Sequence, residues 1–564
     1  MTTDCGDDTP ATGGSEPQGG ASSTQGGGGS GGAGSTGGGG SSGLQIEWVP
    51  CPLSSDSTTG DGAFCATIPV PLDWNDPTGE TIDFFVKKIP ATDPVPRGQL
   101  WFLNGGPGHS GAAFEGAVGK TVDLYLPDHR GTGRSSRLSC PDFESDESDE
   151  GFWVSDEEFP ECAEVVKEEW GSKLDGFTIT NAARDIGEVI AAISKPDDDI
   201  LINGGSYGAI WGNRYLQLYP DQADGVVLDA FAVGLLLTRD DQYFDELGAA
   251  FMGACGDDTA CGSHFAGDPW VQMQTVVDDI ETGFCPEVVA AGWTRAELHK
   301  FWAFFLYTWD YRSLMAPMVH RMTRCEPRDI EALTNMYQVF NQPGSPKASD
   351  RHFSIMLSTQ IMLSELWEDP APSAQELADF QANATIAHGI VARAQAIYDT
   401  WPRYPKDEFA DIFAETTTPV LVVRGEYDFI PRDGVLPAMN HFSNGNNVLE
   451  IPGAPHNPYA APPIAGATQC GVAVRTAFFG DPTTTLDLSC TSEIAPVLFE
   501  PPADLSSAAF GTTDPWDGTP PGTPMNLSGQ SPRSGRSPGR STKVNLSAPT
   551  AIEAARAFAA WRNR

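Results

Sequence analysis

The stretch Ile200-Leu-Ile-Asn-Gly-Gly-Ser206-Tyr-Gly-Ala-Ile-Trp-Gly-Asn-Arg-Tyr-Leu-Gln-Leu-Tyr219-Pro220 decides the fold. The apolar run Ile200 to Ile202 reads as a buried strand, and Ala209 to Tyr219 suits a helix that Pro220 ends. Between them, Gly204-Gly-Ser206-Tyr-Gly208 places small residues on both sides of one serine. That is the pattern of a sharp strand-to-helix turn that presents a hydroxyl at the head of a sheet. The pattern alone discriminates little, because Gly28-Gly-Ser30-Gly-Gly32 matches it inside a glycine tract with no strand or helix around it. Context singles out Ser206.

Outward from this turn, Gln99 to Leu103, Val122 to Leu126 and Val226 to Leu228 are further short apolar runs, each followed by Asn, Pro or Asp. Ile179, Ala183, Ile186, Ile190 and Ile193 recur at helical spacing before the Ile200 strand. Strands alternating with helices imply a mostly parallel sheet with helices on both faces. From Thr238 to about Ala414 the pattern changes to long, aromatic-rich, helix-compatible segments such as Leu298 to Trp309 and Ala374 to Tyr398. Strands resume at Pro419 to Val423 and Asn447 to Ile451, so the helical stretch reads as an insertion into the sheet. The expected organisation is a tether over 1–43, a first core part over 44–237, a helical cap over 238–414, a second core part over 415–517 and a low-complexity tail over 518–564.

Half of the residues from Thr12 to Gly43 are glycine, a composition that makes a flexible coil spanning about 30 Å root-mean-square. Cys5, in Cys-Gly-Asp-Asp just before it, resembles the acylated start of a bacterial lipoprotein. No apolar signal segment precedes it in this sequence, so the expectation is a start further upstream. Past Gly518 the chain is too rich in Pro, Gly and Ser to pack, and Ala548 to Trp561 has helical spacing with little apolar bulk.

The remaining ten cysteines fall as near neighbours: Cys51 and Cys65, Cys140 and Cys162, Cys255 and Cys261, Cys285 and Cys325, Cys470 and Cys490. An even number, with no Cys-x-x-Cys pair of the zinc type, favours disulfides and an extracytoplasmic location, whether secreted, periplasmic or surface-tethered; connectivity stays open. Among 564 residues, Asp and Glu number 76 against 34 Lys and Arg, a net charge of -42 that repels nucleic acid and anionic lipid. No run approaches the ~18 apolar residues a membrane-spanning helix needs. The only membrane contact suggested is through a lipidated N-terminus.

A serine hydroxyl becomes a useful nucleophile when a positioned base takes its proton and a carboxylate orients that base. Asp428, in Arg-Gly-Glu-Tyr-Asp after the Val420 strand, and His456, in Pro-Gly-Ala-Pro-His after the next strand, meet this need from the same sheet edge. Asp229 ends a strand and is a rival for the acid, while His441 reads as a surface residue. Leu103-Asn-Gly-Gly-Pro-Gly108 follows an early strand, where Gly106 can bring its amide toward a developing oxyanion beside that of Tyr207.

Together, Asn104-Gly-Gly-Pro-Gly108, Asp128-His-Arg-Gly-Thr-Gly-Arg-Ser135, the Ser206 turn, Gly425-Glu-Tyr-Asp428 and His456 resemble the prolyl and tripeptidyl aminopeptidase branch of the α/β-hydrolases, the S33 peptidases. The resemblance covers about residues 44 to 515, and Cys255 to Cys261, Leu363-Ser-Glu-Leu-Trp367 and the TAP-like C-terminal region with Cys470 and Cys490 share it. It implies an α/β-hydrolase fold with an inserted helical cap, Ser206 as nucleophile, Asp428 as acid, His456 as base, Gly106 and Tyr207 as oxyanion hole, and Asp128 and Arg130 as structural braces. Asn104 stands where many relatives have His, and Ser364 where Cys is expected. The family holds a free amine with acids on the cap, for which Glu365 is the candidate, with Glu246 and Asp245 behind it. The expected function is an exported serine aminopeptidase acting on peptides, with an esterase acting on small acyl substrates, or an inactive binding protein of the same fold, as alternatives. Neither metal nor organic cofactor is called for.

Overall fold

The computed structural model describes residues 43–521 apart from 56, 58–59, 116, 118, 146–147, 149–151, 342–351, 443–447 and 461–468. The tether up to residue 42 with Cys5, and the tail from 522 with the Ala548 to Trp561 stretch, lie outside the described residues.

Nine strands among these residues form one sheet in the order β1-β2-β3-β5-β4-β6-β7-β8-β9. The strands β4 (Gly98–Leu103), β5 (Val122–Asp128), β6 (Asp199–Gly205), β7 (Gly225–Asp229), β8 (Val420–Gly425) and β9 (Val448–Ile451) pair in parallel. Every residue of β4, β5, β7 and β8 is buried, which is why these strands read as continuous apolar runs and not as alternating ones. Helices α1 (Phe159–Trp170), α2 (Ile179–Ile193) and α3 (Tyr207–Leu218) belong to this core, and α2 buries the isoleucine stripe seen in the sequence. Among the described residues, no helix is long and apolar enough to cross a membrane.

Three N-terminal strands extend the sheet beyond what the sequence pattern suggests. The antiparallel β1 (Val49–Cys51), β2 (Ala63–Pro71) and β3 (Thr81–Ile89) add to its edge, β3 pairing antiparallel with β5. In β2 the buried residues Ala63, Ala66, Ile68 and Val70 alternate with exposed or half-buried ones. The signal has period two, and two prolines and a cysteine dilute it.

Between β7 and β8 the chain leaves the sheet and forms the helical cap, beginning with α4 (Asp240–Asp257). Leu298 to Trp309 is largely the helix Arg295–Tyr307. Ala374 to Tyr398 is two helices, Ala374–Asn383 and Ile390–Ile397, parted at Gly389 with φ of +88°. The Thr385 and Ile386 amides in the break donate to Asp245, so the turn is held from α4.

The second core part differs from the expected 415–517. Leu505, Ala509, Phe510 and Trp516 belong to the apolar core of the cap, so the end of the chain returns to it. Arg321, wholly buried in the cap, donates to the carbonyls of Asp514, Pro515 and Gly518, and Trp516 stacks on His264 at 3.8 Å. Five disulfides join the neighbouring cysteines: Cys51–Cys65, Cys140–Cys162, Cys255–Cys261, Cys285–Cys325 and Cys470–Cys490.

Candidate active site

Ser206, Asp229, Asp428, His456 and the 104–110 loop all follow the C-terminal ends of parallel strands, the edge at which open α/β sheets place ligands. Ser206 sits between β6 and α3 with φ of +55° and ψ of -128°, a conformation that side chains rarely tolerate. Its amide donates to the Asp229 carbonyl at 2.9 Å, and its carbonyl accepts from Ala209 at 2.8 Å, so the turn is tied on both sides. The flanking glycines are steric necessities. A Cβ on Gly204 would stand 2.2 Å from the Gly208 carbonyl oxygen, and one on Gly208 would stand 2.1 Å from that of Leu103.

His456 Nδ1 lies 2.7 Å from Asp428 Oδ1, which also accepts from the Ile430 amide at 3.0 Å. His456 and Asp428 are both buried, and His456 Nε2 has no partner among the described residues. The imidazole is held from the cap side by Phe429 at 4.5 Å and Tyr307 at 5.1 Å between ring centroids, and Phe429 in turn stacks on Phe244 of α4. The cap therefore frames the acid and base loops as well as covering them. Arg312 takes part, with its guanidinium 4.1 Å from the Trp309 ring and 5.7 Å from that of Tyr427, next to Asp428.

Ser206 and His456 line one cavity of about 350 Å³ together with Gly105, Gly106, Asp229 and Arg475 from the core and Leu237, Asp240, Tyr307, Met362 and His388 from the cap side. Gly106, at φ of +111°, opens onto this space. Tyr207 begins α3, where a helix leaves its first amides without intrahelical partners. Its hydroxyl is engaged elsewhere, 2.9 Å from Nε2 of the buried His129. Burial pushes His129 down to about 3, so this imidazole is neutral. The braces behind the site are in place. Asp128 accepts from the Gly111 amide and from Arg134, and Arg130 forks onto Asp185 with both side chains wholly buried.

The acids expected to meet an ammonium are elsewhere. Glu365 is outside the cavity lining; its oxygens accept from Arg214 Nη2 and the Tyr404 hydroxyl, each at 2.8 Å, in a buried cluster beneath the cap. Glu246 is exposed, and Asp245 is occupied by the Thr385 and Ile386 amides. One turn earlier on α4, Asp240 lines the cavity, almost wholly buried. Its Oδ2 accepts no hydrogen bond among the described residues and lies 3.5 Å from His388 Nδ1. Burial and the charge of Asp240 push the neighbouring Asp241 up to about 7. The available signal was the Asp240-Asp241 pair at the point where the helical pattern begins, but which turn of the helix faces the serine depends on how the cap is folded over.

Residues 100–257 match the family described as alpha/beta hydrolase fold. Over 211 residues the chain is 28% identical to the serine protease Hip1 of Mycobacterium tuberculosis and, equally, to that of Mycobacterium bovis, covering 33% of this chain and 39% of theirs. The match thus spans about two fifths of the length of these curated relatives. Among solved structures, proline iminopeptidase from Mycobacterium smegmatis aligns with a TM-score of 0.29 at 15% identity over 73% of this chain and 94% of that one. The hydrolase MGS-M2 from a Medee basin deep-sea metagenome library aligns with a TM-score of 0.31 at 12% identity over 73% and 98%. By its sheet order, its strand-to-helix serine turn and its family match, this chain has the α/β-hydrolase fold. Its resemblance is to the peptidase type, shared with the serine proteases it matches.

Proposed function

We propose that the protein is a serine hydrolase and, within that class, an aminopeptidase that cleaves peptides from a free N-terminus. The observation that carries the hydrolase reading is the convergence, on one cavity, of the strained Ser206 turn and the buried His456–Asp428 pair at 2.7 Å. Ser206 attacks the scissile carbonyl while His456 Nε2 takes its proton and returns it to the leaving amine. Asp428 holds the imidazole through Nδ1 and steadies its charged form. The amides of Gly106 and Tyr207 receive the oxyanion, and water then clears the acyl-enzyme. No residue of this sequence of steps needs a cofactor.

The aminopeptidase reading is supported by Asp240, a buried carboxylate on the cavity wall whose Oδ2 accepts no hydrogen bond among the described residues and has His388 Nδ1 3.5 Å away. An ammonium placed there gains a charge-assisted hydrogen bond that an acetylated N-terminus cannot supply. Five disulfides support an extracytoplasmic setting, and a lipidated Cys5 would tether the enzyme to a membrane surface.

The test measures kcat/KM on matched peptide p-nitroanilides with free and acetylated N-termini, alongside p-nitrophenyl butyrate. Wild type is expected to prefer the free amine, and Ser206→Ala to lose activity by at least about 10⁴-fold. Turnover of the ester alone would move the protein to the esterase alternative. A folded protein that neither turns over these substrates nor takes up a fluorophosphonate would refute the hydrolase reading.

A further inference from the structure

Two carboxyl oxygens beside the base are buried without a partner among the described residues: Asp428 Oδ2, on the residue that holds His456, and Asp229 Oδ1, on the cavity wall. Leaving a buried polar atom unmade costs about 1–3 kcal/mol, and two together at one site call for an explanation. Asp229 is the last residue of β7, level with Val423 of the adjacent parallel strand β8, and Asp428 lies in the loop that follows β8. The backbone fixes Asp229 tightly: its carbonyl accepts from Ser206, and the next residue, Ala230, adopts φ of +54° while donating to the Val423 carbonyl. A non-glycine residue in that conformation, one step from a cavity acid, marks an enforced placement.

We infer that Asp229 is a positioning residue that carries a proton and shares it, directly or through one water, with the free oxygen of Asp428, which completes the support of His456. This rests on the hydrolase reading above. A carboxylic acid is the one form of Asp229 that can donate to a carboxylate. Burial, and after it the charge of Asp428, raise Asp229 well above the usual carboxylate range, against which the guanidinium of Arg475 is the lesser influence. The groups facing Asp229 are Asp428 and His456 from the loops after β8 and β9, Ser206 from the turn after β6, Tyr459, and Arg475 from the helix Cys470–Gly480.

The test is the rate of fluorophosphonate labelling of Ser206 against pH in the full chain, for wild type, Asp229→Asn and Asp229→Leu, each checked for folding by circular dichroism. Asparagine keeps a neutral donor, so the acid limb of its profile is expected within about 0.3 unit of wild type. Leucine removes the donor and leaves Asp428 with more of its charge to hold the imidazolium. Its acid limb is expected to move up by about half a unit, with labelling slowed at least about fivefold. An acid limb that moves down by about a unit in Asp229→Asn would mean Asp229 works as an anion and would overturn the inference. So would a Leu variant that matches Asn. Absence of labelling in folded wild type would overturn the hydrolase reading, and this inference with it.

Discussion

Glu365→Gln separates a structural carboxylate from a substrate-binding one. Glu365 and Arg214 are both buried; the carboxylate accepts from Arg214 Nη2 and Tyr404 at 2.8 Å, and Arg214 also bonds Thr180 at 2.5 Å. Breaking a buried ion pair by neutralising one partner costs about 3–5 kcal/mol, because the other charge stays buried. Two features reduce that here. The Gln carbonyl can still accept one hydrogen bond, and Asp407, part exposed, keeps a carboxylate 3.5 Å from Arg214 Nη1. The expected loss is therefore about 2–3 kcal/mol, which lowers the melting temperature of a fold of this size by about 2–3 °C at a fixed scan rate. The ratio of kcat/KM for free and acetylated peptides should stay within about twofold of wild type, because Glu365 does not line the cavity. Asp240→Asn should do the reverse, lowering that ratio at least about tenfold with little change in melting, since it removes one charge-assisted hydrogen bond worth about 1.5–3 kcal/mol. A Glu365→Gln variant that melts normally but loses its preference for the free amine would refute the placement of the ammonium against α4.

Asp428→Asn should keep the fold and lower kcat by about 10³–10⁴-fold with KM little changed, as the imidazole loses its orientation; a loss under tenfold in a kcat and KM determination would point to another acid. His129 is neutral in the fold, down at about 3 against 6.5 when unfolded, so its contribution is intact above pH 6.5 and is lost as pH falls toward 3. At pH 5 this amounts to about 2 kcal/mol, so in paired denaturant melts His129→Gln should close that much of its stability gap to wild type between pH 7 and 5, and parallel curves would contradict it. Loop-closure entropy gives the Cys285–Cys325 bond, 40 residues apart, about 4 kcal/mol and the Cys255–Cys261 bond, 6 apart, about 2. Paired Cys→Ser variants should melt in that order, and equal losses would show that chain entropy is not the origin.

The sequence by itself determined the local decisions. The apolar runs of β4 to β8 are legible because strands buried on both faces need no alternation, and the Ser206 turn is legible because only glycine fits at 204 and 208. That Asp428 and His456 meet is legible because a residue that follows a strand is delivered to a known sheet edge whatever the rest of the chain does. The antiparallel β1 escaped because it is only three residues long and holds a proline, β2 because two prolines and a cysteine dilute its alternation, and the return of Trp516 to the cap because few apolar residues signal it. Tertiary structure alone decided which cap acid meets the cavity. Glu365, Glu246, Asp245 and Asp240 are all carboxylates on helices, and sequence spacing gives the face of each helix but not what lies opposite it. The folding of the cap sets Glu365 against Arg214, turns Glu246 to solvent, closes Asp245 over two amides and puts Asp240 on the cavity wall beside His388. The same is true of Asp229 and Asp428, 199 residues apart in the chain, which the end of β7 and the loop after β8 bring within electrostatic reach of each other.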